Sequence, residues 1–162
     1  MSKILIAYFS ANGHTARLAD TLAKAIDGEL HEIKPMQPYS KADLNWNDMQ
    51  SRANLEMQDA LARPEIENPL ASIEEYDVVF VGFPIWWYNA PRIIQTFLES
   101  YDFSNKTVVP FATSGGSDMG NTIDILKPSC ARTTVWKPGK CLRSFSDQAM
   151  LSNWVESLDI SS

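Results

Sequence analysis

Short apolar runs alternate with stretches of helical spacing along the chain. Residues 4–9 (ILIAYF) are apolar at successive positions, which predicts a strand buried on both faces, as in a parallel sheet. Residues 15–26 then place Leu18, Leu22, Ala25 and Ile26 on one helical stripe, and Asp27-Gly28 ends it. Residues 29–33 alternate in polarity and predict a weaker strand toward a sheet edge, stopped by Pro35 and Pro38. Over residues 47–61, Met49, Ala53, Met57 and Leu61 recur at four-residue spacing and predict a helix; Pro64 and Pro69 bound the loop after it. Residues 77–83 (DVVFVGF) form a second buried run. Pro91 stands at or near the first turn of a helix carrying Ile94, Phe97, Leu98 and Tyr101. Residues 106–112 are a third buried run, and a helix near 121–126 stops at Pro128. A short strand over 133–136 precedes a closing helix over 148–158, with Leu151, Trp154, Val155 and Leu158 facing inward.

Strands alternating with helices predict α/β architecture: parallel βαβ units in an open, doubly wound sheet. In such sheets ligands bind beyond the carboxyl ends of the strands, where the strand order reverses. Three loops leave strands at that end: residues 10–15, 84–89 and 113–118. At 162 residues the chain is expected to be a single domain. Its net charge of −6 argues against a nucleic-acid footprint, which needs a basic face. No apolar run approaches the roughly 18 residues of a membrane span, so no membrane insertion is expected. The first residues enter a strand without a secretory leader pattern, which predicts a cytoplasmic protein. Cys130 and Cys141 form neither a CxxC pair nor a metal set with His14 and His31; they read as reduced thiols, and no metal is expected.

The first loop offers the hydroxyls of Ser10 and Thr15, the amide of Asn12, a free-turning backbone at Gly13 and the ring of His14. Together with the N–H groups that open a helix, these suit a phosphate. The ordinary alternative is a βα turn with Thr15 as a cap. The loop is neither a Walker motif nor a GxGxxG dinucleotide turn. The second loop, Pro84, Ile85, Trp86, Trp87, Tyr88 and Asn89, has three aromatic side chains in a row, so at least one should project beside the crevice and stack on a conjugated ring. A hydrophobic lid or a dimer contact is the alternative. The third loop, Thr113, Ser114, Gly115, Gly116 and Ser117, combines close backbone approach with hydroxyls suited to a polar ring edge.

In this order, S-x-x-G-x-T, PIWW and TSGGS give the chain a resemblance to the flavodoxin family, specifically to its short FMN-binding proteins. The resemblance spans nearly the whole chain, including Asp43-Leu44-Asn45-Trp46. It implies a flavodoxin-like three-layer α/β/α sandwich whose five-stranded parallel sheet has order 2-1-3-4-5. It also implies one non-covalent FMN, with its phosphate at Ser10, Asn12, Gly13, His14 and Thr15. The ring would lie between residues 84–89 and 113–117. The last strand has no long insertion, as in the short type.

Two departures stand out. The usual phosphate loop ends T-G-N-T, whereas here it is Asn12-Gly13-His14-Thr15. No glycine occurs between Pro84 and Pro91, and flavodoxins tune their one-electron states partly by flipping a flexible peptide beside the flavin. A Trp-Trp-Tyr-Asn backbone flips less readily, with Asn89 its most tolerant position.

The leading expectation is thus an FMN redox protein acting in electron transfer, passing electrons to a redox partner protein as a monomer or weak dimer. The alternative is an NAD(P)H-dependent FMN reductase with quinone-type acceptors; a non-redox FMN-binding module is a third. A phospho-accepting regulator would need acidic residues where Phe9-Ser10 and Phe83-Pro84 stand, and a tyrosine phosphatase a Cys and an Arg in the phosphate loop. Asp20, His31, Glu32, Asp43 and Asp48 read as solvated faces, Trp154 as core, and Trp46 as packing.

Overall fold

The computed structural model describes residues 3–11, 13–45, 47–86, 89–113, 119, 121–143 and 146–160. The three apolar runs become β1 (Ile4–Tyr8), β3 (Val78–Pro84) and β4 (Thr107–Thr113) at the centre of a parallel sheet. The alternating run becomes β2 (Glu29–Glu32) at one edge. The strand order is the expected 2-1-3-4-5. On one face α1 (His14–Ile26) and α5 (Gln148–Ser157) pack over Ile6, Phe80, Val109 and Phe111. On the other, α2 (Arg52–Gln58), α3 (Arg92–Glu99) and α4 (Thr122–Leu126) cover Leu5, Ala7, Val79, Val81 and Val108. Trp154 is core, its ring edge-on to Phe80 at 5.9 Å.

The fifth position differs from the expected single strand over 133–136. It is filled by two segments, β5 (Val135–Trp136) beside Thr107–Val108 and β6 (Lys140–Leu142) beside Phe111–Thr113. Pro110 supplies the reason. Val108 O accepts from Lys137 N, so the backbone groups of residues 108, 110 and 112 face the outer strand. Pro110 has no N–H to offer on that edge, and the outer strand breaks opposite it.

The helix expected over 47–61 is also shorter. Ser51 caps α2 by accepting from Asn54 N, after a turn in which Asp48 N donates to Asn45 O. At the other end Arg92 donates to Glu56 O and Met57 O, satisfying final carbonyls, and Leu61 N turns onto Asp59 Oδ1. Met49 and Leu61 therefore lie outside the helix and are exposed.

Two residues carry more than their patterns suggest. Gly82 sits opposite Phe111, and a Cβ there would come within 2.3 Å of the ring. His31 is not on a solvated face: it is half-buried, its ring stacks on Phe97 at 6.3 Å, and its Nε2 is buried with no hydrogen-bond partner among the described residues. Asp43 is likewise held, accepting from Ser40 N near Arg52, whereas Asp20, Glu32 and Asp48 are exposed as expected. Trp46 lies outside the described residues.

Replacing Gly82 with Ala overpacks the Phe111 contact and is expected to cost about 1–3 kcal/mol, read from urea denaturation. Burial lowers the His31 pKa below its ordinary 6.5, against a smaller opposing pull from Glu32. Below that pH the unfolded chain binds more protons than the folded one, so stability falls as pH falls. Thermal melts between pH 7.5 and 5 should show this loss, and His31→Leu should flatten it.

Candidate functional site

Because β1, β3 and β4 are parallel and in register, their carboxyl ends deliver three loops to one edge of the sheet. Tyr8 pairs with Gly82, and Pro84 with Thr113. The first loop folds around Ser10. Its Oγ accepts from Gly13 N at 3.0 Å and Ala16 N at 3.2 Å. A hydroxyl has two acceptor sites and one proton, so with both lone pairs engaged Ser10 has its O–H left to donate. Gly13 makes the turn at φ 94°, a left-handed conformation costly for other residues, and a Cβ there would meet nothing within 4 Å.

The N–H groups of His14 and Thr15 open α1, and neither has an acceptor among the described residues. Two outward amides, one committed O–H donor and the positive end of a thirteen-residue helix form an anion cradle. His14 is exposed at its rim, while Thr15 is buried. Thr15 Oγ1 lies 2.7 Å from Thr113 Oγ1, so the cradle is tied to the end of β4. Asn12 lies outside the described residues.

The second loop is closed on itself. Trp86 N donates to Asn89 O and Asn89 N to Trp86 O, while Ile85 N donates to Thr113 O. Asn89 Oδ1 accepts from Ala90 N, and Asn89 is not among the residues with left-handed φ. Trp86 turns inward, 3% exposed, edge-on to Phe9 at 5.8 Å and to Tyr39 at 5.6 Å. Tyr39 is fixed in turn: its hydroxyl donates to Glu56, and the Arg52 guanidinium lies 3.8 Å from its ring centroid. Burial, reinforced by the Glu56 carboxylate, pushes the Tyr39 pKa up, so this phenol stays protonated.

Pro84 and Ile85 are half-buried at the loop's entrance. Trp87 and Tyr88 lie outside the described residues, as do Ser114, Gly115, Gly116 and Ser117. The structure thus brings Ser10, Gly13, His14, Thr15, Pro84, Ile85, Asn89 and Thr113 to one edge and makes Trp86 an anchor. Sequence reasoning missed Phe9, Tyr39, Arg52 and Glu56 as the support behind that anchor. Their one signal was an aromatic following Pro38 in an otherwise polar segment. A cavity of about 220 Å³ opens next to Ser10 and Ala11, bordered by Glu32, Lys34 and Tyr39.

The flavodoxin family pattern matches residues 3–158. The chain belongs to the flavodoxin family. Among solved structures, it resembles a chain from Bacteroides eggerthii DSM 20697 assigned as a flavoprotein, at 48% identity and a TM-score of 0.93, covering 99% of this chain and 100% of that one. A similarly assigned chain from Bacteroides uniformis ATCC 8492 shows 45% identity and a TM-score of 0.90, covering 96% and 98%. A flavoprotein from Lactobacillus acidophilus NCFM, solved in complex with FMN, shares the fold at 24% identity and a TM-score of 0.69, covering 96% and 99%. Among curated proteins none matches the chain significantly.

Ser10 closes the first turn of a flavodoxin's leading helix, so its loss should be felt before any ligand is added. Ser10→Ala is expected to destabilise the protein by about 0.5–2 kcal/mol in chemical denaturation, as other lost caps do.

Proposed function

We propose that this protein binds FMN at the edge built from residues 10–15, 84–89 and 113–117 and acts in electron transfer. The observation that carries this is the cradle at the start of α1, where the Ser10 hydroxyl and the His14 and Thr15 amides are all donors without competing acceptors among the described residues. A phosphate dianion suits such a set, and a family whose cofactor is FMN supplies one. Gly13 allows close approach, and His14 at the rim adds a further donor in place of the family's usual Asn. FMN supplies one- and two-electron chemistry when bound. The chain's part is to hold the phosphate, orient the ring and limit water. Trp87 and Tyr88 are the aromatics proposed to stack on it, with Trp86 holding their loop in place; Ser114 to Ser117, with Asn12 on the phosphate side, complete the set. We place the protein in the cytoplasm. Cys130 and Cys141 are half-buried and form no disulfide among the described residues, and no helix among them is long and apolar enough to cross a membrane.

The paired hydrogen bonds between Trp86 and Asn89 favour a second reading, an NAD(P)H-dependent reductase of quinone-type acceptors. A loop with both bonds made and no left-handed residue at Asn89 resists the peptide flip that stabilises one-electron states. The two readings separate in one titration. The protein reconstituted with FMN is expected to bleach on dithionite with little blue one-electron absorbance. Under the first reading, NADPH alone leaves it yellow and electrons flow only once a partner protein is added. Direct bleaching by NADPH selects the reductase, and failure to take up FMN would sink both.

A further inference from the structure

We propose that Thr113 is a positioning residue for phosphate recognition: its hydroxyl holds that of Thr15 so that the chain prefers a phosphorylated flavin to its dephosphorylated form. This rests on the FMN reading above.

Thr113 lies at the last position of β4, where the resemblance would place it against the ring. The strand's alternation sends it elsewhere. Val109 and Phe111 pack beneath α1 and α5, and residue 113 follows them onto the same face. There it is 8% exposed and meets Thr15, which is 1% exposed, across 98 residues of sequence. The 2.7 Å separation of the oxygens is a good hydroxyl–hydroxyl hydrogen bond, and either oxygen has the proton to donate. Neither hydroxyl has another partner among the described residues.

A helical Thr has a second option. Its hydroxyl can bond back to a carbonyl one turn earlier, which turns the proton away from the helix N-terminus. Thr113 competes with that option. When Thr113 donates, Thr15 accepts and its own proton is left for an oxygen in the cradle. The two bonds then polarise in the same direction, from β4 through Thr15 toward the anion. Thr113 also accepts from Ile85 N through its carbonyl, so one residue fixes both the cradle and the base of the aromatic loop. Only the hydroxyl of Thr113 serves the cradle; the carbonyl link is made by the backbone and survives substitution.

The test compares FMN with riboflavin, which has the same ring and no phosphate, by fluorescence titration of the flavin-free protein. Thr113→Val is expected to weaken FMN binding about threefold to tenfold, as loss of one hydrogen bond does, and to leave riboflavin affinity within about twofold. Thr113→Ser keeps the hydroxyl and should restore the wild-type FMN-to-riboflavin ratio. Thr15→Val should show the same selective loss, with no further loss in the double variant. A purely structural role would lower the melting temperature of the flavin-free protein and leave the ratio unchanged. If valine at 113 prevents folding, Thr113→Ala carries the same expectation. The proposal fails if both affinities fall together, or if neither moves. Wild-type protein that binds no FMN overturns the FMN reading itself, whereas wild-type binding with an unaltered ratio in the variants overturns only the role of Thr113.

Discussion

The site depends on register. β1, β3 and β4 are parallel and buried on both faces, so any slip would move a whole set of apolar side chains into the wrong layer. That burial fixes Tyr8 opposite Gly82 and Pro84 opposite Thr113, and those pairings set the level at which the loops leave the sheet. Close packing reaches into the strands themselves: the Phe111 ring occupies the space a Cβ at Gly82 would need. The loops can be polar and turn sharply because none of them has to hold the sheet together.

Strand positions were readable because a fully buried parallel strand is a continuous apolar run, and β1, β3 and β4 are the chain's plainest examples. The helix is shorter than the 47–61 pattern because four-residue spacing says nothing about competing local bonds. Ser51, Asp48 and Asp59 redirect the backbone within that window, and Arg92, far along the chain, takes the last carbonyls. The broken fifth strand was marked in the sequence, although not within that strand. Its cause is Pro110 in the neighbouring one, visible only once the two are paired. His31 misleads for a related reason: its neighbours in sequence, Leu30 and Glu32, are exposed, while its neighbour in space is Phe97.

The same division runs through the site. Hydroxyls, glycine and the helix start make the anion cradle legible in residues 10–15, since every donor comes from one short segment. The aromatic loop was legible in composition and not in direction. The Trp86 ring turns inward against Tyr39, and Tyr39 is placed by Glu56 and Arg52 from α2. The segment between β2 and β3 thus does more than connect strands: it braces the loop that is proposed to face the cofactor's ring.

That brace bears on the chemistry. A loop that must change its peptide orientation with redox state needs a backbone with two accessible conformations of similar energy. Here Trp86 is held by Phe9 and Tyr39, its backbone is bonded twice to Asn89, and Ile85 is bonded to Thr113. Moving the loop would break these bonds and expose a buried indole, and no glycine is present to ease the turn. At the cradle the constraint is similar, because Ser10 and Thr15 have their hydroxyls engaged by partners within the fold. Fixed at both the cradle and the aromatic loop, the proposed site would leave the flavin's own electronics, more than protein motion, to set how many electrons move at once.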